Sequence, residues 1–165
     1  MTIWSLLHIS KVSQPVVAQE GYEDRIGSIY SWDSTVANHA KVRVRDSVLI
    51  VSEQSVLGIG TISKMEIKID TKIRSRCAKC RSTKISPRLE ITPIFRCNQC
   101  KFEFDDPEKD EIEVLKYHGY YGSSWLPFHD LPKKCIEQAY FSKAVQQSIR
   151  ELDPSLLPVS ISQYL

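Results

Sequence analysis

The chain has 165 residues, of which 42% are hydrophobic and 25% charged, with a formal net charge of +2. That size and balance fit one globular domain with a real core, or one domain carrying a small insert. No apolar run approaches the length of a membrane span. The opening MTIWSLLHISK is too short and too polar for a secretory signal, so a cytoplasmic protein is the default expectation.

Taken in order, Ile3 to Ile9 is apolar and predicts a strand, with Trp4 and Leu6 on one face and Leu7 on the other. Lys11 to Gly27 reads as a long loop, and long ordered loops tend to be functional. Ser28 to Asp33 alternates, placing Ile29, Ser31 and Asp33 on one face and Tyr30 and Trp32 on the other. Ser34 to Lys41 is a polar loop, and Arg45-Asp46 a turn before the β-branched strand Ser47 to Val51. Val56 to Lys68 predicts one long strand. Gly58 and Gly60 inside it point to a bulge or a close backbone approach.

Further on, short strands are expected over Arg88 to Thr92 and Ile94 to Arg96, around Pro93, and a strong strand over Ile112 to Tyr121. Asp130 and Pro132 open a helical tail. Apolar residues at Ile136, Tyr140, Ala144, Val145, Ile149 and Leu152 predict helices over Lys133 to Tyr140 and Ser142 to Leu152, stopped by Asp153-Pro154.

Four of the five cysteines form two pairs, C-A-K-C at Cys77 and Cys80 and C-N-Q-C at Cys97 and Cys100, sixteen residues apart. Two such turns can complete a tetrahedral site of four sulfurs, and the spacing is that of a zinc ribbon. Two disulfides are the first competing account, which the lack of a secretory signal and a reducing cytosol disfavour. A redox pair is the second, but it needs only one C-x-x-C. One structural Zn2+ per chain is therefore expected. Four thiolates leave no open coordination position for catalysis.

Charge is unevenly placed. Thr61 to Glu103 holds eleven Lys or Arg against four Asp or Glu, whereas Phe104 to Glu113 holds six acids against Lys109 alone. A basic lobe beside an acidic hinge follows, with Lys79, Arg81, Lys84 and Arg88 as candidate contacts to a nucleic-acid backbone. A small solvated ribbon without a core to bury is the plainer account of the same charges.

The phrases I-Y-S-W-D-S-T-V-A-N, V-R-V-R-D-S-V-L-I-V and G-I-G-T-I resemble the PUA-like barrels of the EVE type. The ribbon followed by V-L-K-Y-H-G-Y-Y-G-S-S-W is similar to the version found before the HNH nuclease of modification-dependent (type IV) restriction endonucleases. A-V-Q-Q-S-I-R-E-L-D resembles the linker to that nuclease. The resemblance spans about Ile26 to Leu152. It implies an α+β chain: a PUA-like (EVE/SRA-like) β-barrel over residues 1–127, interrupted by a four-cysteine zinc ribbon over 74–104, then C-terminal helices over 128–165. It also implies a reader of modified cytosine, of the 5-methyl or 5-hydroxymethyl type, in double-stranded DNA. Such domains flip the base into an aromatic-walled pocket and can target a nuclease domain of the same polypeptide.

Under that reading the base pocket draws on Tyr30, Ser31, Trp32, Asp33, Asn38 and Trp125. Trp32 would be a partly exposed stacking wall, and Asp33 an acceptor for the cytosine N4 amine. A core role for Tyr30 and Trp32, and a cap or turn role for Asp33 and Asn38, remain open alternatives. Trp125 belongs to an aromatic cluster with Tyr117, Tyr120 and Tyr121 that is mostly core, and Cys135 reads as a small buried residue. The four histidines are scattered and form no catalytic constellation. An RNA-binding PUA-like module and a zinc-stabilised protein-interaction domain compete with the DNA reader.

Overall fold

A computed structural model describes residues 1–9, 24–88, 90–144 and 147–165. Most of the loop expected from Lys11, together with Leu89 and Val145, lies outside the described residues. The chain divides into two compact units, one built from the described parts of 1–9, 22–68 and 115–165, the other from 69–114.

In the first unit a five-stranded sheet has the order β10-β4-β3-β1-β11. Its strands are β1 (Ile3–Leu7), β3 (Ser47–Val51), β4 (Val56–Thr61), β10 (Leu126–Pro127) and β11 (Ile149–Leu152). β1 and β3 run parallel, with Trp4 opposite Val48; the remaining pairs are antiparallel. All five residues of β3 are buried because both of its faces are covered. Trp4, Leu6, Val48 and Ile50 face one core with Tyr30, Trp32, Tyr117 and Ile149. Ile3, Leu49 and Val51 face a second core with Ile136, Ala139, Leu157 and Ile161 from the C-terminal segment.

A second sheet has the order β2-β9-β5, from β2 (Ile29–Asp33), β5 (Lys64–Arg76) and β9 (Glu108–Tyr120). β2 and β9 pair antiparallel with Trp32 opposite Tyr117 and Ser31 opposite His118. The alternation expected for β2 holds, with Tyr30 and Trp32 both in the first core. The fold is thus mostly β. Among the described residues no sheet closes into a barrel, and no helix is long and apolar enough to cross a membrane.

Four local expectations change. Val56 to Lys68 is not one strand. The Ile62 amide bonds to Asp46 O at 2.9 Å and the Ser63 amide to Tyr120 O at 2.8 Å, so the chain passes there from one sheet to the other. The acidic stretch is no hinge, since β9 already begins at Glu108. Lys133–Ala139 is a 3-10 helix that buries Ile136 and Ala139, three residues apart as that tighter winding requires. The described part of the second expected helix ends in β11, paired with β1 through Leu6↔Ile149 and Ile3↔Leu152. A spacing of three puts two residues on one helix face, but on opposite faces of a strand. Here both faces are covered, so Ile149 and Leu152 are each buried, in different cores. The only α-helix among the described residues is α1 (Val159–Ser162).

Gly58 is a close approach: a Cβ there would overlap the Trp125 ring and the Leu126 carbonyl. At the turn before β3, Arg45 adopts a left-handed φ of 77°. Asp46 holds that turn, its carboxylate accepting from the Thr2 amide, Trp4 Nε1 and the Arg43 amide at 2.9–3.0 Å.

Trp32 is 1% exposed, stacks on Tyr117 at 5.3 Å and donates its Nε1 hydrogen to His39 O. The partly exposed wall expected for it is therefore replaced by a core position, sealed by the covering of β2 and β9. Trp32→Ala should cost about 3–5 kcal/mol, read as a large fall in melting temperature. An unchanged melting temperature would contradict this placement.

Candidate metal centre and buried polar cluster

The second unit holds a three-stranded sheet, β6 (Ile85–Pro87), β7 (Phe95–Cys97) and β8 (Glu103–Phe104), in that order. The first ribbon strand thus lies before Arg88 and the second is Phe95–Cys97. The two cysteine turns repeat one geometry. The Arg81 amide bonds to Cys77 O at 2.9 Å, and the Lys101 amide to Cys97 O at 3.0 Å. Arg81 and Lys101 both have a left-handed φ, 59° and 63°. Within each turn an amide points at the first thiol: Lys79 N at Cys77 Sγ and Cys100 N at Cys97 Sγ, both 3.4 Å. These two left-handed positions went unread in the sequence. The signal for them is the residue following each second cysteine.

The turns bring all four sulfurs within 4.8 Å of one another, with Cys77–Cys100 at 3.7 Å and Cys80–Cys97 at 3.5 Å. A tetrahedron with Zn–S bonds near 2.3 Å has S–S edges of roughly 3.8 Å, so the four cysteines are positioned to hold a metal ion of that size. The Cys100 amide, with that of Gln99, holds the Cys97 thiol down at about 6. The Ser82 amide acts in the same sense on Cys80, but burial and the three neighbouring thiols push it up to about 12. Cys135 is half-buried and packs against the second core of the first unit.

The cations named from the sequence divide into two kinds. Arg81 bonds to Glu108 and, at 2.8 Å, to Asp110; Asp110 also takes Arg76. Arg88 bonds to Glu103 at 2.7 Å and to Pro93 O. Arg81 and Arg88 are therefore engaged within the unit, by acids that β9 and β8 bring back to them. Lys79 and Lys84 are exposed and make no ion pair with a described residue. Counted whole, residues 69–114 hold ten Lys or Arg against nine Asp or Glu, a balance of +1. The basic lobe is a property of the outgoing chain and is offset by the returning one.

The six base-pocket candidates do not converge. Tyr30 is buried and its hydroxyl donates to Leu7 O at 2.8 Å. Asp33 is buried and accepts from the Thr35 amide and hydroxyl, an Asx cap of the following turn. Asn38 has a φ of 65° and donates to Ile149 O. Trp125 is half-buried against Gly27 and Gly58 and tilted on Tyr121 at 5.3 Å. Ser31 alone enters a cluster of groups able to donate and accept.

That cluster lies on the face of β2 opposite Trp32. Ser31 Oγ and His118 Nδ1 share a 2.9 Å hydrogen bond, the Ser31 amide donates to Asp24 Oδ1 at 2.7 Å, and Asp24 Oδ2 lies 3.4 Å from His8 Nδ1. Ser31 and His118 are buried, while the His8 and Asp24 side chains keep 20% and 13% exposure. Burial pushes the Asp24 carboxyl up, against the Ser31 amide and His8, which lower it. Nothing in the sequence joins residues 8, 24, 31 and 118; antiparallel β2–β9 pairing and the end of β1 bring them together.

No family model, curated protein or solved structure matches the chain.

Elemental analysis of purified protein should give about one zinc per chain. Cys80→Ser should lose it, and protection from hydrogen exchange should fall over residues 69–114, whose core is small. Folded, metal-free protein with the four ribbon thiols free to titrate would contradict the centre.

The raised Asp24 carboxyl has a stability consequence. A folded-state value above the unfolded one favours folding at low pH, and that contribution is lost as pH rises through the folded value. The melting temperature of wild type relative to Asp24→Asn should thus fall as pH is raised from below 3.8, the ordinary aspartate value, towards neutrality. A difference independent of pH would contradict it.

Proposed function

We propose that the chain is a reader of modified cytosine in duplex DNA: a PUA-like domain of EVE type with a zinc-ribbon insert, serving to target a modification-dependent HNH nuclease. The observation that carries this reading is the cluster of His8, Asp24, Ser31 and His118. A base taken out of the stack must be met along its polar edge, and cytosine offers an N4 amine donor beside the N3 and O2 acceptors. Asp24, whose side chain keeps 13% exposure and whose second oxygen lies beside His8, supplies an acceptor for the amine. His8 beside it is a donor for the ring acceptors in one tautomer. Ser31 and His118 stand behind this outer pair and fix the carboxylate through the Ser31 amide and the Ser31–His118 hydrogen bond. The phrase around β2 that resembles EVE domains contributes Ser31 to this cluster and Trp32 to the core beneath it. The structural zinc belongs to the ribbon, where it would supply folding and no chemistry.

The experiment compares binding of 5-methylcytosine, 5-hydroxymethylcytosine and plain duplexes, with a structured RNA alongside, to wild type and Asp24→Asn. Asparagine still accepts the Ser31 amide, so the fold is kept, but it replaces half of the acceptor with a donor. The expected result is preference for a modified duplex in wild type, and affinity for that duplex reduced about tenfold or more in the variant, as one lost contact to the N4 amine implies. Equal affinity of both proteins for the modified duplex would remove the cluster from recognition. Tighter binding of the RNA would replace the DNA reader by an RNA-binding module.

A further inference from the structure

We infer that the cysteine turns of the ribbon carry a phosphodiester-binding face built from Lys79, Lys84, Lys101 and Phe102, distinct from the arginines of the same unit. These residues are linked to one another. Lys79 Nζ lies 5.7 Å from the centroid of the Phe102 ring. Phe102 stacks on Phe104, which stacks on Phe95, each at 5.9 Å, so an aromatic column rises from the ribbon core to the surface. Phe102 ends that column 39% exposed. Lys101 Nζ bonds to Asn98 O at 2.8 Å, and the Asn98 amide bonds to Lys84 O at 2.7 Å. Lys79, Lys84, Asn98 and Lys101 are all exposed.

The contrast with the arginines selects the partner. Four of the unit's five arginines, Arg76, Arg81, Arg88 and Arg96, each lie within 4 Å of a carboxylate. The three lysines make no ion pair with a described residue, and Lys101 and Lys79 are engaged only through a carbonyl and a ring. Ammonium groups with hydration to give up, around an exposed aromatic, fit a repeating anion with an apolar sugar between charges. A protein partner would call for an apolar patch wider than one phenyl ring. This face deepens the proposed function and rests on that reading: it supplies sequence-independent grip while the cluster at Asp24 supplies the contact to the flipped base.

The test uses the full chain loaded with zinc. Lys79→Gln, Lys84→Gln and Lys101→Gln are combined, and affinity for plain and modified duplexes is measured across a salt series. Each phosphate contact contributes about 0.9 to the slope of log affinity against log salt. The triple variant should therefore lose about three from that slope, weaken both duplexes by the same factor and retain one zinc. Phe102→Ala should weaken both duplexes with the slope unchanged. If the triple variant does not hold zinc, each single variant is read for a slope change of about one. An unchanged slope overturns the face, as does a loss of zinc affinity without a slope change, which would make the lysines counter-charges of the thiolates. Modified-over-plain preference with an unchanged slope leaves the reader standing and removes the face. A reduced slope without any such preference does the reverse, and no duplex binding at all by wild type removes both.

Discussion

The five-stranded sheet of the first unit has to be covered on both faces, and most of that unit's organisation follows from this constraint. A parallel β1–β3 pair at its centre has no solvent face to give up, so every residue of β3 is apolar or hydroxyl-bearing and buried. One face takes the aromatic side of β2 and β9, where Trp32 and Tyr117 stack. The other takes the 3-10 helix at Lys133–Ala139, Leu157 and α1, none long enough to be stable alone. The aromatics are large and yet carry polar tips, which are spent within the protein: Trp4 on the Asp46 carboxylate, Tyr30 and Trp32 on the Leu7 and His39 carbonyls, Tyr117 on the His39 ring. Burial of these rings and satisfaction of their polar atoms are one arrangement.

The second unit is organised on a different principle. Its apolar cluster is Cys77, Phe95, Cys97 and Phe104, with Ile85 and Cys100 against it. A core of that size does not offset the ordering of some forty residues, on the order of 1 kcal/mol or more each. Four thiols drawn to one point by two equivalent turns provide the missing term when they bind a cation. The returning β9 adds acids opposite the outgoing arginines. Such exposed pairs are individually weak, about 0–1 kcal/mol, but they fix which charges remain outward.

How far the sequence could be read follows from which interactions were local. The cysteine spacing identified the four thiols that converge because a C-x-x-C turn is complete within a few residues. Strands β1, β2 and β3 were legible from alternation, or from an unbroken apolar run bounded by turns, and Gly58 from its place inside a strand. The tail was misread because Ile149 and Leu152 satisfy a helical spacing and equally a strand covered on both sides, and only the presence of β1 decides between them. Trp32 was misassigned for a related reason. Its neighbours Ser31 and Asp33 are polar, but alternation sends them to the other face of β2, where Ser31 meets His118 and Asp33 caps a turn. The polarity of a strand's other face says nothing about the exposure of the first.

The same reasoning isolates the His8–Asp24–Ser31–His118 cluster as the feature least explained by folding alone. A buried carboxyl costs free energy that its hydrogen bonds only partly return, and here burial outweighs the Ser31 amide and His8. Asp33 and Asp46 show how this fold treats acids that serve structure. Each is buried and accepts two or three short hydrogen bonds from a turn or a strand end. Asp24 instead lies beside two histidines and its side chain keeps 13% exposure. A polar network left partly open towards solvent is a poor device for stability and a good one for meeting a ligand whose own donors and acceptors complete it.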